Sequence, residues 1–196
     1  MSAKMVRTTI IAILTAVLIS VWLLWLRLEP SVSPDDVSLR GKLAPIASVP
    51  DVKPLNGETQ VAELTVNRLS AGTTSPAGID SWYIYVPGTQ STQTRVLEEP
   101  QSDVLKPAAS DAAALTQEVQ TMLQQIGVSV TAGELAEPFM QYTGARGSYT
   151  AQALLKPHPN AAVQPAAKQE AYAIYIHRER KWGRDVSWTK AVKLES

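Results

Sequence analysis

The residues best suited to chemistry gather near the end of the chain. Positions 177–184 read His177-Arg178-Glu179-Arg180-Lys181-Trp182-Gly183-Arg184, which places four basic side chains and one indole within eight residues. Arg and Trp are enriched at binding hot spots, and a cluster of this sign can meet an acidic protein, a wall polymer or anionic head groups. Arg178, Arg180, Lys181, Trp182 and Arg184 are therefore the candidate partner-binding residues. The same types at a hairpin tip also guard a sheet edge against unwanted pairing, with Trp182 packed on its own turn.

Catalytic signatures are scarce. Of the two histidines, His158 lies in Lys-Pro-His-Pro-Asn, a turn expected to be solvated. His177 falls at a strand end on the face opposite Ile174 and Ile176, and reads as a rim residue of a sheet rather than a general base. Neither a G-x-S-x-G elbow nor an H-E-x-x-H pair occurs. Gly144-Ala-Arg-Gly147 lacks the Lys-Ser/Thr ending of a phosphate loop. The adjacent acids Asp35-Asp36 and Glu98-Glu99 read as solvated charge, although a glycosidase pair distant in sequence stays open. With no cysteine there are no disulfides, thiolate metal sites or cysteine nucleophiles. The expectation is no catalytic residue, no cofactor and no metal. A hydrolase is the least favoured function.

The elements that position these residues begin with an apolar run. Residues 8–26 carry no charge and would reach about 28 Å as a helix, close to a bilayer's hydrocarbon thickness. Lys4 and Arg7 precede the run, and Asp35 and Asp36 follow it, so the N-terminus is expected in the cytoplasm and the C-terminal part outside. The run ends in Val-Trp-Leu-Leu-Trp-Leu-Arg-Leu, without small residues for signal peptidase, which predicts an uncleaved signal-anchor. Trp22 and Trp25 suit the outer interface. Ala12, Ala16 and Ser20 recur every fourth residue, a spacing that would allow close helix packing and homo-oligomers through the span. Lack of both cysteine and glycosylation acceptors favours a bacterial periplasm.

This organisation assigns 1–7 to a cytoplasmic tail, 8–28 to a transmembrane helix, 29–58 to a proline-rich linker and 59–196 to a periplasmic domain. Pro30, Pro34, Pro45, Pro50 and Pro54 argue against helix or central strand in the linker. Beyond it, 60–67, 81–86, 169–178 and 185–194 alternate apolar and polar residues as strands do, and 94–98 and 149–156 are further strand candidates. The last two read as a hairpin. Residues 110–126 form an amphipathic helix, with Ser110 as cap, Leu115, Val119, Met122, Leu123 and Ile126 on one face, and Gly127 at the C′ position. Thr131-Ala-Gly-Glu134 resembles a capping box. The sum predicts an α+β domain with a mostly antiparallel sheet.

Charge is uneven along the chain: residues 29–167 carry 8 basic and 14 acidic groups, and 168–196 carry 7 and 4. Bulk nucleic-acid binding is therefore not indicated. The layout resembles that of non-enzymatic accessory subunits of secretion, conjugation or pilus assemblies, which predicts docking onto other envelope proteins. The alternative is a membrane-tethered binder of ligand or cell wall, using Tyr83, Tyr85, Tyr172 and Tyr175 as a groove.

Overall fold

The computed structural model describes residues 3–28, 32–68, 79–97, 106–107, 112–130, 135, 140–143, 148–159, 170–181 and 183–196. Helix α1 covers Ala3–Leu28 and α2 covers Ala112–Gln125. Nine strands are found among the described residues: β1 (Val37–Pro45), β2 (Gln60–Arg68), β3 (Ile79–Tyr85), β4 (Thr89–Leu97), β5 (Lys106–Pro107), β6 (Met140–Thr143), β7 (Tyr149–Pro157), β8 (Tyr172–Lys181) and β9 (Arg184–Glu195). They form one sheet in the order β4-β7-β2-β1-β9-β8-β3-β6-β5. The seven longer strands curl into a barrel-like sheet, which β6 and β5 extend at one edge.

The fold is mostly β with two helices, which corrects the expected α+β class. The largest correction lies in 29–58. Val37–Pro45 is no linker but a strand at the heart of the sheet, paired antiparallel to β2 from Val37↔Arg68 to Pro45↔Gln60. The five prolines bracket a proline-free window, 35–44, in which Val37, Leu39, Gly41 and Leu43 alternate inward. Pro34 opens a single 3-10 turn capped by Ser33, where a missing N–H costs nothing. Side chains of β9 tie this segment down: Trp188 Nε1 donates to Val32 O at 2.8 Å, and Lys190 Nζ donates to Val37 O at 2.8 Å.

The curl follows from side-chain contacts across the interior. From β7 to β3 is five steps in the strand order, about 24 Å in a flat sheet. Yet Tyr149 on β7 donates a 2.9 Å hydrogen bond to Asp80 on β3. One core fills the space enclosed, with Ala62, Leu64 and Val66 of β2, Ala151, Ala153 and Leu155 of β7, and Trp82, Ala173 and Tyr175 from the other side. Gly41 makes the seam possible where β1 meets β9 in parallel, Gly41↔Leu194 and Lys42↔Glu195. A Cβ at Gly41 would lie 2.5 Å from Leu194 Cδ2.

On the opposite face of β3 and β8, α2 packs Leu115, Val119 and Leu123, each with no exposed surface, against Tyr83, Ile174 and Ile176. Burial of each such side chain contributes about 1.5–3 kcal/mol. Gly127, at φ +85°, ends α2 in a Schellman motif: Val128 N–H donates to Leu123 O at 2.8 Å and Gly127 N–H to Gln124 O at 3.0 Å. The expected hairpin is present, with β8 and β9 paired from Tyr172↔Lys193 to Lys181↔Arg184. Ser110, Trp182 and the Thr131–Glu134, Gly144–Gly147 and Glu98-Glu99 motifs lie outside the described residues.

The membrane reading is also corrected. Among the described residues no helix is long and apolar enough to cross a membrane. This finding overturns the transmembrane span at 8–28, the signal-anchor, the single-pass topology and the inner-membrane, periplasmic placement built on them. Homo-oligomerisation through a span at Ala12, Ala16 and Ser20 falls with it. These three residues are exposed on α1, and Ser20 Oγ donates to Ala16 O within the same helix at 2.8 Å.

Candidate functional site

Two arrangements of polar side chains stand out, one inside the barrel and one on its surface. The inner one centres on Asp80, which is fully buried near the start of β3. Strand pairing sets Asp80 opposite His177, and Trp82 opposite Tyr175, on the inward face of β3 and β8. Arg68 reaches in from the end of β2 and Tyr149 from the start of β7. Asp80 Oδ1 accepts from Arg68 Nη2 at 2.8 Å and from His177 Nδ1 at 2.9 Å. Asp80 Oδ2 accepts from Arg68 Nη2 at 2.6 Å and from Tyr149 OH at 2.9 Å. The same Arg68 nitrogen lies 3.2 Å from Tyr175 OH, to which it donates.

Electrostatics agree with these roles. Burial, then the Asp80 charge, pushes the Tyr149 phenol well above its usual range, and Tyr175 moves upward for the same reasons. Both phenols therefore stay protonated donors. For Arg68, burial pulls downward but the Asp80 carboxylate prevails, and its guanidinium is held more firmly charged than usual. Trp188 roofs the cluster, its ring centroid 5.3 Å from Tyr175 and 5.4 Å from His177.

This cluster ties strand ends together as a clamp. Both oxygens of Asp80 are saturated by donors, so it offers no lone pair to a substrate. His177 Nδ1–H donates to Asp80, which leaves Nε2 a buried acceptor without a partner among the described residues. Ser81 follows Asp80 in sequence but points to the other side of β3, in register with Ile176, so no Ser-His-Asp relay assembles. Among the described residues no group of three His, Cys, Asp or Glu could hold a metal ion. What the clamp does is bind the ends of β2, β3, β7 and β8 to one another at one end of the barrel.

The surface arrangement lies on the outward face of β4-β7-β2-β1. One row crosses all four strands in register, Arg95↔Gln152, Gln152↔Glu63 and Glu63↔Lys42. Arg95 Nε donates to Gln152 Oε1 at 2.7 Å, and Gln152 Nε2 donates to Glu63 Oε1 at 2.6 Å. The neighbouring row sets Arg40 opposite Thr65, and Thr65 Oγ1 lies 3.2 Å from Thr150 Oγ1. Where this face meets β9, a groove of about 380 Å³ is lined by Arg40, Lys42, Glu63, Thr65, Glu195 and Ser196. Interlocked amides and guanidinium keep their rotamers, so a ligand meets a surface already ordered.

Of the residues singled out from sequence, Arg180, Lys181 and Arg184 stand together beside the β8–β9 turn, and Arg178 turns away from it. Arg178 turns toward α2 and donates to Glu118 at 2.5 Å, half-buried. Arg180 and Arg184 are exposed beside the turn at Gly183, φ +78°. Lys181 lies in β8 next to that turn. The tyrosine groove does not form. Tyr83, Tyr85 and Tyr172 share the α2 face, whereas Tyr175 is fully buried on the inward face. His177, read as a rim residue, is instead a buried member of the clamp. Its opposite-face placement from Ile174 and Ile176 was legible, but which face is the interior was not. His158 takes part in a turn, its N–H donating to Gly88 O at 2.9 Å.

No family model matches the sequence, and no curated protein matches it. Among solved structures, the chain is similar to the crystal structure of ACE19, the collagen binding subdomain of the Enterococcus faecalis surface protein ACE. The alignment covers 86% of this chain and 100% of that one, at 10% identity and a TM-score of 0.36, a likeness too slight to establish a shared fold or ligand. Nothing in the structure or these comparisons supports a role in secretion, conjugation or pilus assembly.

Proposed function

We propose that this chain is a non-enzymatic binding domain that holds an extended ligand on the outward face of β4-β7-β2-β1. The observation that supports it is the cross-strand ladder Arg95–Gln152–Glu63–Lys42, whose side chains are exposed at both ends and fixed in the middle by hydrogen bonds of 2.7 and 2.6 Å. Such a surface loses little side-chain entropy on binding, because its rotamers are already set. The groove at the β1–β9 seam adds a concave end to the platform, whose other end is covered where Ile46, Val49 and Val52 pack on Val61 and Leu154. The clamp around Asp80 serves this role indirectly, since it fixes the ends of β2 and β7, two of the four platform strands.

Amide hydrogen exchange of the full chain tests this reading against peptidoglycan fragments, neutral and acidic oligosaccharides and a triple-helical peptide. The expected result is that at least one of them slows exchange in β1, β2, β4 and β7, while mass spectrometry recovers the ligand unchanged. Protection confined to α2 and β8, or none at all, would overturn the assignment of the face. Conversion of the ligand would overturn its non-enzymatic part.

A further inference from the structure

Although residues 29–167 are acidic overall, with 8 basic groups against 14 acidic, the platform is not. Its outward positions, the described residues that alternate with the core on β1, β2, β7 and β4, include Arg40, Lys42, Lys156 and Arg95, and a single acid, Glu63. Glu195 borders them at the seam, opposite Lys42. The strands therefore sort basic groups onto one face, something the totals conceal.

The arrangement of these charges has a scale. Lys42 on β1 and Arg95 on β4 are three strand spacings apart, about 14 Å. Arg40 stands about 7 Å from Lys42 along β1. Lys156 lies further along β7, beyond Leu154, which is buried with Ile46 and Val61 under Val49 and Val52, and so stands apart from this set. No small monoanion touches cations so separated at once. An extended polymer with acidic groups at intervals can. Between the cations lie Thr65, Thr150 and Glu63, half-buried residues that offer hydroxyl and carboxylate groups to neutral hydroxyls, with the buried Gln152 holding Glu63 in place.

We infer that the ligand of this face is an acidic polysaccharide, its carboxylates or sulfates on Arg40, Lys42 and Arg95 and its hydroxyls on Thr65, Thr150 and Glu63. This deepens the binding reading above and rests on it. A nucleic acid shares the negative charge but fits less well. Glu63 sits at the centre of the face, where a continuous phosphate backbone would be repelled and a sugar hydroxyl can donate. The described outward positions of these strands also carry no aromatic ring on which a base could stack.

Titration calorimetry of the full chain decides it, with three probes of matched length: a galacturonate oligomer, a neutral maltooligomer and an oligothymidylate. The galacturonate oligomer is expected to bind tightest, more weakly as salt rises, and more tightly than the monosaccharide acid. The double variant Lys42→Gln/Arg95→Gln should lower its affinity about tenfold or more. Lys42→Gln alone, at an exposed side chain, should weaken binding with the melting temperature unchanged, which separates binding from the loss of the Arg95–Gln152 bond in the double variant, and Arg180→Gln at the hairpin turn should bind as wild type. Equal, salt-insensitive binding of the maltooligomer would overturn the acidic class while leaving the face intact. Tighter binding of oligothymidylate would overturn the polysaccharide. Loss of binding in Arg180→Gln but not in the double variant would overturn both the face and the ligand, and so would no binding by any probe.

Discussion

Removal of the Asp80 carboxylate should be among the most damaging single changes in this chain. In Asp80→Ala the Arg68 guanidinium, whose side chain is only 9% exposed, loses its counter-charge, and Tyr149 OH and His177 Nδ1 lose their acceptor. Breaking a buried ion pair by deleting one partner costs about 3–5 kcal/mol, because the surviving charge stays out of water. For a chain of this length each kcal/mol lowers Tm by about 2–4 °C, so a fall of about 10 °C is expected. Urea unfolding followed by tryptophan fluorescence is a fitting assay, since Trp188 lies 5.3 Å from Tyr175 at the cluster's edge. The double variant Asp80→Leu/Arg68→Met separates pairing from burial. It removes both charges at once and should recover most of the loss, since an apolar replacement of a buried pair is close to neutral. A cost below about 1 kcal/mol for Asp80→Ala, or a double variant as unstable as the sum of the singles, would refute the account of the clamp.

Two further outcomes follow from the packing and the electrostatics. Gly41→Ala should destabilise by about 1–3 kcal/mol, because its Cβ would meet Leu194 Cδ2 at 2.5 Å, and Leu194→Ala in the same background should relieve part of that cost, as equilibrium unfolding would show. Glu58 is held down to about 2 from its ordinary 4.5, chiefly by the Asn56 N–H, with Thr92 Oγ1 and the Leu55 N–H also donating and burial opposing. Its folded-state value is depressed, so its contribution is present above pH 4.5 and is lost as pH falls from there toward 2. Glu58→Gln should therefore flatten the acid limb of a stability-versus-pH curve and leave the neutral limb's slope unchanged.

Local patterns carried the elements. Period-two alternation located most of β2, β3, β7, β8 and β9, and a 3.6-residue period with Gly127 located α2 and its end. Strand β1 is legible too, in Val37, Leu39, Gly41 and Leu43, because the prolines fall outside that window rather than within it. The uncharged run at 8–26 suggests a bilayer span, yet among the described residues no helix is long and apolar enough to cross a membrane.

The sequence by itself determined which residues alternate, where helix α2 stops and that the last two strands form a hairpin, because each depends on neighbours a few positions apart. Only the tertiary structure decided which face of each strand is the interior. Curling the sheet brings Asp80 within hydrogen-bond reach of His177, 97 residues away, and of Tyr149, 69 residues away. The same curl turns Arg40, Lys42 and Arg95 outward onto a common surface. Strand order and register fix such sets, and neither is written in any local stretch of residues.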